Sequence, residues 1–306
     1  MATQDPAPTS TPVVDIFIPY WGDPDYATQT VNSVLAQTDD RWQLTIVDDA
    51  YPDPTFADFI AELDHPKVRY VRKDVNAGIT ENYRTCVELA TLPLVVLLGC
   101  DDRLMPSYVA QIIAAHEAFP SASIIQPGVR VIDENGEEVR TLVDQVKARL
   151  VKPGGHGYQL LCGESLAANL LTGNWLYWPS LAFRTERLKA TPFREGYPVT
   201  QDLALVMDFV FAGDQLLTFD TVCFEYRRHR NSASSVQLLD AQRFDAERDY
   251  CQLAAGLAAA LGWTRAVRAA RARLTIRAHA LATLPKALAR KDFTTVGTLA
   301  RHGFGR

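Results

Sequence analysis

The sequence of 306 residues has no apolar stretch long enough to cross a bilayer, which argues against a membrane-spanning protein. It has no basic excess either: the net charge is −5, which argues against a nucleic-acid binder. The five cysteines are scattered, with no CxxC pair and no metal-ligand spacing. We therefore expect reduced thiols and a cytoplasmic location. No internal repeat is found.

Composition changes at both ends of the chain. Residues 1–11 are rich in Pro, Thr and Ser without an apolar stretch, which predicts a disordered tail rather than a signal peptide. Residues 263–306 hold ten basic residues and one acid, a net charge of +9 that leaves −14 for the rest. We predict a main domain at 12–235 and a helical, basic extension at 236–306.

Short apolar runs alternate with helical patterns in the first 120 residues. The runs predict strands at 13–18, 42–47, 68–71 and 94–98, and the patterns predict helices at 26–36, 56–63, 79–89 and 106–118. Such alternation predicts an α/β fold with a mostly parallel, helix-covered sheet.

Two of the predicted strands run directly into a pair of aspartates. Asp48-Asp49 ends the second strand, and Asp101-Asp102 follows the fourth. Open α/β sheets bind ligands beyond the carboxyl ends of their strands. Two carboxylates at that edge suit a divalent cation that carries a phosphorylated ligand.

An ordered set of motifs resembles the family 2 glycosyltransferases. The motifs are IPYWGDPDY from residue 18, TIVDDAYPD from 45, NAGITENYR from 76, LVVLLGCDD from 94, NWLYWPS from 174, QD from 201 and YRRH from 226. The resemblance implies a GT-A fold with a Rossmann-like nucleotide-binding half, a nucleotide-diphosphate sugar donor and inversion of the anomeric centre.

By position, the resemblance implies a donor site at the strand ends and in the loop after the third strand. Its residues are Pro19, Tyr20, Asp48, Asn76, Gly78, Asn82, Arg84 and Asp101. Asp48 would accept a hydrogen bond from a base with a ring N–H, so we expect a UDP, dTDP or GDP donor, and Tyr20 would offer the base an aromatic face. An ordinary turn before a helix explains Asn76 and Gly78 equally well. Solvated surface is the alternative for Arg84.

The resemblance also implies a bound Mn²⁺ or Mg²⁺ on the diphosphate. Asp101 and Asp102 match the family's metal-holding carboxylates, and Gly99 stands where many members have the first aspartate. Their division of labour is therefore open. His229 would complete the metal shell or be structural, and Arg227 or Arg228 would pair with phosphate oxygens.

Asp202 matches the family's catalytic base, which takes the proton of the acceptor hydroxyl. An acid at a helix start also stabilises the helix N-terminus, and both roles can hold. Gln201 replaces the glutamate usual in the family. We assign Gln201, Trp175 and Trp178 to acceptor binding, although core packing explains the two tryptophans equally well.

In the basic extension, apolar residues recur at helical spacing among arginines. The stripe is Trp263, Val267, Ala270, Leu274 and Leu281. Such a helix packs its stripe on the catalytic domain or lies on an anionic membrane surface. The membrane alternative would place the protein peripherally at the inner face of the plasma membrane.

Together these features predict a metal-dependent inverting glycosyltransferase that acts on a glycan or lipid-linked acceptor in cell-surface polysaccharide or glycolipid synthesis. One alternative is a non-catalytic nucleotide-sugar-binding protein. Another is a sugar-1-phosphate nucleotidyltransferase, which would carry a Gly-rich, basic loop after the first strand, and PYWGD at 19–23 is not such a loop.

Overall fold

The computed structural model describes residues 11–139, 153–229, 241–289 and 292–304. Within these ranges the strands are β1 (Val14–Tyr20), β2 (Trp42–Asp48), β3 (Val68–Arg72), β4 (Leu94–Leu97), β5 (Arg103–Leu104), β6 (Ala122–Ile132), β7 (Gln159–Leu161), β8 (Ala182–Arg184) and β9 (Gln215–Arg227). The helices are α1 (Pro24–Leu35), α2 (Thr55–Leu63), α3 (Ile79–Leu89), α4 (Tyr108–Ala118), α5 (Gly163–Thr172), α6 (Thr185–Lys189), α7 (Gln201–Phe211), α8 (Ala241–Ala260), α9 (Thr264–Ala272), α10 (Leu274–Ala289) and α11 (Phe293–Phe304).

The chain forms two compact units. Unit 1 contains residues 1–130, 177–192 and 217–227, and unit 2 contains 131–176, 193–216 and 228–306. The predicted domain boundary at 235/236 lies outside the described residues, as does nearly all of the predicted tail. Both stay predictions.

Unit 1 is built on a mixed sheet with the strand order β3-β2-β1-β4-β8-β6-β9-β5. The first four of these strands are parallel, as the sequence predicts, and β8 pairs antiparallel with β4. Each of the four helices predicted for the first 120 residues is present, with ends within about two residues of the prediction. The mostly parallel, helix-covered half of the fold is confirmed.

Burial explains why these strands form. Every residue of β1 and β4 is buried, as expected for strands covered on both faces by helices. Asp23 caps the N-terminus of α1, because its carboxylate accepts from the Asp25 amide. The helix buries Val31 and Val34. The helices thereby fix the parallel strands so that β1, β2 and β4 end at one edge of the sheet.

Unit 2 includes the C-terminal helices. Ala266 and Ala270 of α9 are buried, and α9 packs against α5 and α8. The apolar stripe predicted for a single helix is wrong, because Arg273 takes a left-handed conformation (φ 49°) that ends α9 before α10 starts. Beyond the break, Leu274 and Leu281 are exposed. None of the helices in the described ranges is long and apolar enough to span a membrane.

Candidate active site at the carboxyl ends of the strands

The two aspartate pairs of unit 1 lie at the same edge of its sheet. Asp48 ends β2, Asp101 and Asp102 follow β4, and β1 lies between these two parallel strands. Adjacent strands are about 4.8 Å apart, so the ends of β2 and β4 are separated by about 10 Å across the sheet. The edge therefore presents two carboxylate groups on either side of the end of β1.

Asp48 is fully buried and both of its oxygens are hydrogen-bonded. Oδ1 accepts from the Tyr51 amide at 2.8 Å, and Oδ2 accepts from the Tyr70 hydroxyl and from Arg72. The Arg72 side chain is 43% exposed and also donates to the Tyr51 carbonyl at 2.8 Å. Asp48 thus organises the turn after β2, and its contact with a nucleobase stays a prediction.

Asp49 has a role that the sequence did not indicate. Its carboxylate accepts from the amides of Ala77 and Gly78 at 3.1 and 2.8 Å and lies 3.2 Å from the Lys73 ammonium. With 1% of its surface exposed, it fixes the loop before α3 to the end of β2. Asn76 adds a turn by accepting from the Gly78 amide at 2.9 Å, and Gly78 has a φ of 87°, which favours glycine. The loop is therefore an ordered turn before a helix.

Tyr20 does not have the exposed ring that base stacking requires. It is 1% exposed, and its ring packs on Tyr51 and Phe56 with centroid separations of 5.1 and 4.4 Å. The predicted aromatic face is thus occupied by the core. The exposed ring beside it is Trp21, which is 47% exposed and edge-on to Tyr51 at 5.2 Å. Pro19 is buried in the same strand.

Two residues of α3 from the predicted donor set contact the protein itself. Asn82 is buried and donates from Nδ2 to the Val47 carbonyl at 2.9 Å, while its Oδ1 has no hydrogen-bond partner. Arg84 is half-buried and paired with Glu81 one turn earlier. Asn82 therefore attaches α3 to the end of β2.

The turn that carries Asp101 and Asp102 is held by α1 and β9. The Thr30 hydroxyl donates to the Asp102 carbonyl at 2.7 Å, and the Arg227 Nε donates to the Asp101 carbonyl at 2.7 Å. The guanidinium of Arg227 also donates to Gln29 at 2.8 Å and stacks over the Tyr26 ring. At 1% exposure, Arg227 is a buried support of this turn, which corrects its assignment to phosphate binding.

The carboxylate of Asp102 is only half satisfied. Oδ1 accepts from the Arg227 amide at 2.8 Å, whereas Oδ2 is buried and has no hydrogen-bond partner. Burial and the charge of Asp101 raise the pKa of Asp102 well above its usual range, and the contacts with Arg227 oppose this rise. Buried polar atoms are rarely left without a partner, so this oxygen marks a place for a ligand.

Gly99 explains how the two aspartates are arranged. A Cβ at this position would lie 2.5 Å from Asp102 Oδ2 and 3.1 Å from Asp101 Oδ1, so both oxygens converge on the space that a side chain would fill. Glycine therefore stands where many family members have an aspartate because the carboxylates of Asp101 and Asp102 fold over it.

This arrangement fits a divalent cation. Mg²⁺ is commonly bound by one or two carboxylates together with substrate phosphates and waters, and Asp101 and Asp102 supply two carboxylates. In the described ranges no cluster of three or more His, Cys, Asp or Glu side chains could hold a metal. His229 is half-buried, and its place in the metal shell stays a prediction.

Asp202 and Gln201 lie in unit 2, in the first turn of α7. Asp202 is half-buried, and Gln201 is 9% exposed. Burial raises the pKa of the Tyr250 hydroxyl, the charges of Asp208 and Asp202 add to the rise, and the charge of Arg194 opposes it. Arg194 holds Asp208 through contacts of 2.7–3.0 Å, a pair that sequence patterns did not indicate.

The two tryptophans predicted to bind the acceptor differ in how deeply they are buried. Trp175 is 3% exposed and donates from Nε1 to Asn169 at 2.5 Å, so its ring belongs to the core and the acceptor assignment is wrong. Trp178 is half-buried in unit 1, with ring contacts to Tyr83 and Phe183 at 5.6 and 5.4 Å. Its acceptor role stays a prediction.

The model of one protein family, described as glycosyl transferase family 2, matches residues 15–177, which is more than half of the chain. This range contains both aspartate pairs. The chain belongs to glycosyl transferase family 2.

Solved structures of glycosyltransferases share the fold. Residues 1–349 of Staphylococcus aureus TarS, in complex with UDP-GlcNAc, superpose with a TM-score of 0.60 at 14% identity over 94% of this chain and 90% of that one. A mannosyltransferase from Pyrobaculum calidifontis, in complex with GDP-Man and Mn²⁺, gives 0.60 at 17% identity over 97% and 88%. At these identities the likeness concerns the fold, and the GT-A expectation is confirmed.

Among sequence relatives is WcaA of Escherichia coli K12, a candidate colanic acid biosynthesis glycosyl transferase. The two are 24% identical over 106 residues, which is 34% of this chain and 38% of WcaA. Another relative is a protein from Sinorhizobium fredii, of which the chain covers 14%, so the chain spans well under half the length of both relatives.

Proposed function

We propose that this family 2 protein transfers a sugar from a nucleotide-diphosphate donor to an acceptor hydroxyl, with a divalent cation and with inversion at the anomeric carbon. The observation that carries the proposal is the unpartnered, buried Oδ2 of Asp102 beside the Gly99 space, where the Asp101 oxygen also converges. Family membership and the GT-A neighbours support it.

Asp101 and Asp102 would hold the cation. When bound there, Mn²⁺ or Mg²⁺ supplies a Lewis acid that neutralises charge on the leaving diphosphate. The part of this chain is to keep the two carboxylates in place: Arg227 and Thr30 hold the turn through its carbonyls, and the Arg227 amide orients Asp102.

The nucleotide would lie across the ends of β2 and β1. Asp48 would accept from the ring N–H of uracil, thymine or guanine, and the loop held by Asp49 would line the sugar-phosphate part of the donor. Two structural neighbours were solved with UDP-GlcNAc and GDP-Man, which supports a UDP, dTDP or GDP donor. Trp21 offers the exposed ring that Tyr20 does not.

Asp202 would act as the base that takes the acceptor proton. It lies in the first turn of α7, where the helix N-terminus favours negative charge. Gln201 and Trp178 would contact the acceptor. The acceptor would be a glycan or a lipid-linked glycan in cell-surface polysaccharide synthesis at the cytoplasmic face. The WcaA relative, whose name refers to colanic acid biosynthesis, supports a glycan product.

A donor panel tests the proposal. The purified chain is incubated with UDP-, dTDP- and GDP-sugars, and nucleoside diphosphate release is followed with Mn²⁺, with EDTA and after Mn²⁺ is restored. We expect one nucleotide class to be turned over, with loss in EDTA and recovery. Donor binding without turnover would instead indicate a non-catalytic binding protein. Synthesis of a nucleotide sugar from a sugar 1-phosphate would indicate a nucleotidyltransferase, and full turnover in EDTA would exclude the metal-dependent mechanism.

Asp202→Asn tests the base. We expect the transfer rate to fall by roughly 10²–10⁴, the usual contribution of general base catalysis, with little change in the KM for the donor. Asp208→Asn in the same helix is the control, because Asp208 pairs with Arg194 and its loss affects stability. A raised donor KM, or an unchanged rate, for Asp202→Asn contradicts the assignment, and product anomers identified by NMR test inversion.

A further inference from the structure

The C-terminal helices hold a disproportionate share of the exposed apolar side chains. Twelve large apolar side chains are exposed among the described residues, and six of them lie within residues 261–304. These six are Leu261, Leu274, Leu281, Leu288, Phe293 and Phe304. One short segment thus provides half of the large apolar side chains that are exposed among the described residues.

α10 has two apolar faces. Its inner face contributes Ala280 and Ala287 to a core cluster with Phe244 of α8 and Leu299 of α11. A second row consists of Leu274, Leu281 and Leu288, spaced seven residues apart and therefore on one side of the helix. Leu274 and Leu288 are 60 and 48% exposed, whereas Leu281, at 37%, packs on Gly303 of α11, so the two end leucines are the ones that unit 2 leaves uncovered.

α9 places arginines beside this row in the chain. Arg265, Arg268 and Arg271 are exposed at a spacing of three, on the side opposite the buried Ala266 and Ala270. Among the described residues none of these three arginines has an acidic partner within ion-pair distance. The side of α9 that does not pack therefore carries three positive charges, and the acid next to it is Glu164, whose carboxylate accepts from the Arg265 amide at 2.5 Å.

A binding partner of this surface must accept both the exposed apolar side chains and the positive charges. Residues 263–306 carry a net charge of +9 with Asp292 as their single acid, so a second copy of this surface would be repelled. A nucleic acid would leave the leucines and phenylalanines in water. A bilayer with anionic headgroups accepts both, because phosphates pair with arginines and apolar side chains enter the acyl boundary.

We propose that helices α9–α11 form a surface that binds an anionic phospholipid bilayer peripherally, with Leu274 and Leu288 of α10 inserted at the headgroup level and the arginines of α9 at the phosphates. This differs from the membrane face that the sequence stripe predicted, because the alanines of α9 are packed inside unit 2. The surface does not depend on the transfer reaction, so it can be tested without a donor.

The test is sedimentation of the full-length protein with vesicles of phosphatidylglycerol mixed with phosphatidylcholine, and with vesicles of phosphatidylcholine alone. We expect binding to the anionic vesicles that weakens as salt rises. Arg268→Gln with Arg271→Gln should weaken it about 30-fold, from about 1 kcal/mol for each charge. Leu274→Gln with Leu288→Gln should weaken it by about tenfold or more, because exposed leucines gain by leaving water.

Matched controls remove the same groups elsewhere. Arg69→Gln with Lys189→Gln removes two exposed charges, and Leu160→Gln with Val222→Gln removes two exposed apolar side chains. We expect both controls to bind like the wild type, and thermal unfolding verifies that every variant is folded. Equal binding to neutral and anionic vesicles, equal losses in variants and controls, or a monomer–dimer shift caused by the leucine pair would each overturn the proposal.

Discussion

The two aspartate pairs of unit 1 look alike in the sequence and differ in the structure. Asp48 and Asp49 accept hydrogen bonds from three amides, a hydroxyl and a guanidinium, and Asp49 also pairs with Lys73. Asp102 has one oxygen bonded to the Arg227 amide and the other buried without a partner. Both pairs follow the carboxyl ends of parallel strands on either side of β1, so their different surroundings must come from contacts with the rest of the chain.

The difference separates carboxylates whose oxygens are bonded within the protein from the carboxylate of Asp102, whose Oδ2 has no hydrogen-bond partner. A satisfied, buried carboxylate stabilises the fold, whereas a buried oxygen without a donor costs stability until a cation or a proton reaches it. We therefore assign the first pair to the shape of the donor site and the second to the cation.

The largest contrast is expected in catalysis. Asp102→Asn should lower kcat by at least about 100-fold, because a bound cation stabilises the leaving group by several kcal/mol. Asp49→Asn should leave kcat close to the wild-type value and raise the KM for the donor, since it loosens the loop at Gly78. Steady-state kinetics of both variants measure this, and similar kcat losses would remove the distinction between the pairs.

Gly99→Ala tests the second pair without changing a carboxylate. The added methyl group would lie 2.5 Å from Asp102 Oδ2, so the carboxylate must move. Overpacking of this kind costs about 1–3 kcal/mol, and we expect Mn²⁺ affinity to fall by about tenfold or more. Gly154→Ala is the control, because its Cβ would meet nothing within 4 Å. Unchanged affinity in Gly99→Ala would show that the two oxygens do not form the site.

A substitution in the first pair should lower the free energy of unfolding. Asp49→Asn removes the charge that faces Lys73 and weakens acceptance from two amides, so we expect a loss of about 1–3 kcal/mol in the free energy of unfolding. The control is Asp74→Asn, which removes an exposed carboxylate nearby in the chain. Urea unfolding compares the two, and equal changes would mean that the Asp49 contacts add nothing.

The smallest effect concerns metal-free Asp102. Its folded-state pKa lies above the unfolded value, so its contribution favours the folded state at low pH and is lost as pH rises through the folded pKa. In EDTA, Asp102→Asn should therefore melt at a higher temperature than the wild type near neutral pH, and the difference should shrink as pH falls. A lower melting temperature for the variant at neutral pH would contradict this sign.

Local sequence patterns were sufficient to predict the strands and helices of the first half of the fold. The buried strands and the helices between them have their own apolar periodicity, and the carboxyl ends of β2 and β4 follow from it. The left-handed Arg273 that separates α9 from α10 has no such signal, since arginine rarely adopts this conformation. The stripe from Trp263 to Leu281 was therefore assigned to one helix although it belongs to two.

Sequence patterns predicted the site residues that follow the ends of strands. They missed the contacts between residues that are far apart in the chain. The pair Asp101-Asp102 is visible in the sequence, but Arg227, 125 residues after Asp102, contacts it only through the strand order of the sheet. The resemblance implied that Tyr20 offers its ring to a nucleobase, yet Tyr51 and Phe56 cover this ring. Asp49 acts through a loop 28 and 29 residues away.

The most direct test of the account is a Mn²⁺ titration followed by electron paramagnetic resonance, with and without UDP or GDP. Wild-type protein and Asp49→Asn are compared with Asp102→Asn at equal concentration. We predict a bound Mn²⁺ signal of similar affinity in the first two proteins and a loss of at least about tenfold in Asp102→Asn. Equal Mn²⁺ affinity in all three proteins would contradict the assignment of the second aspartate pair to the cation.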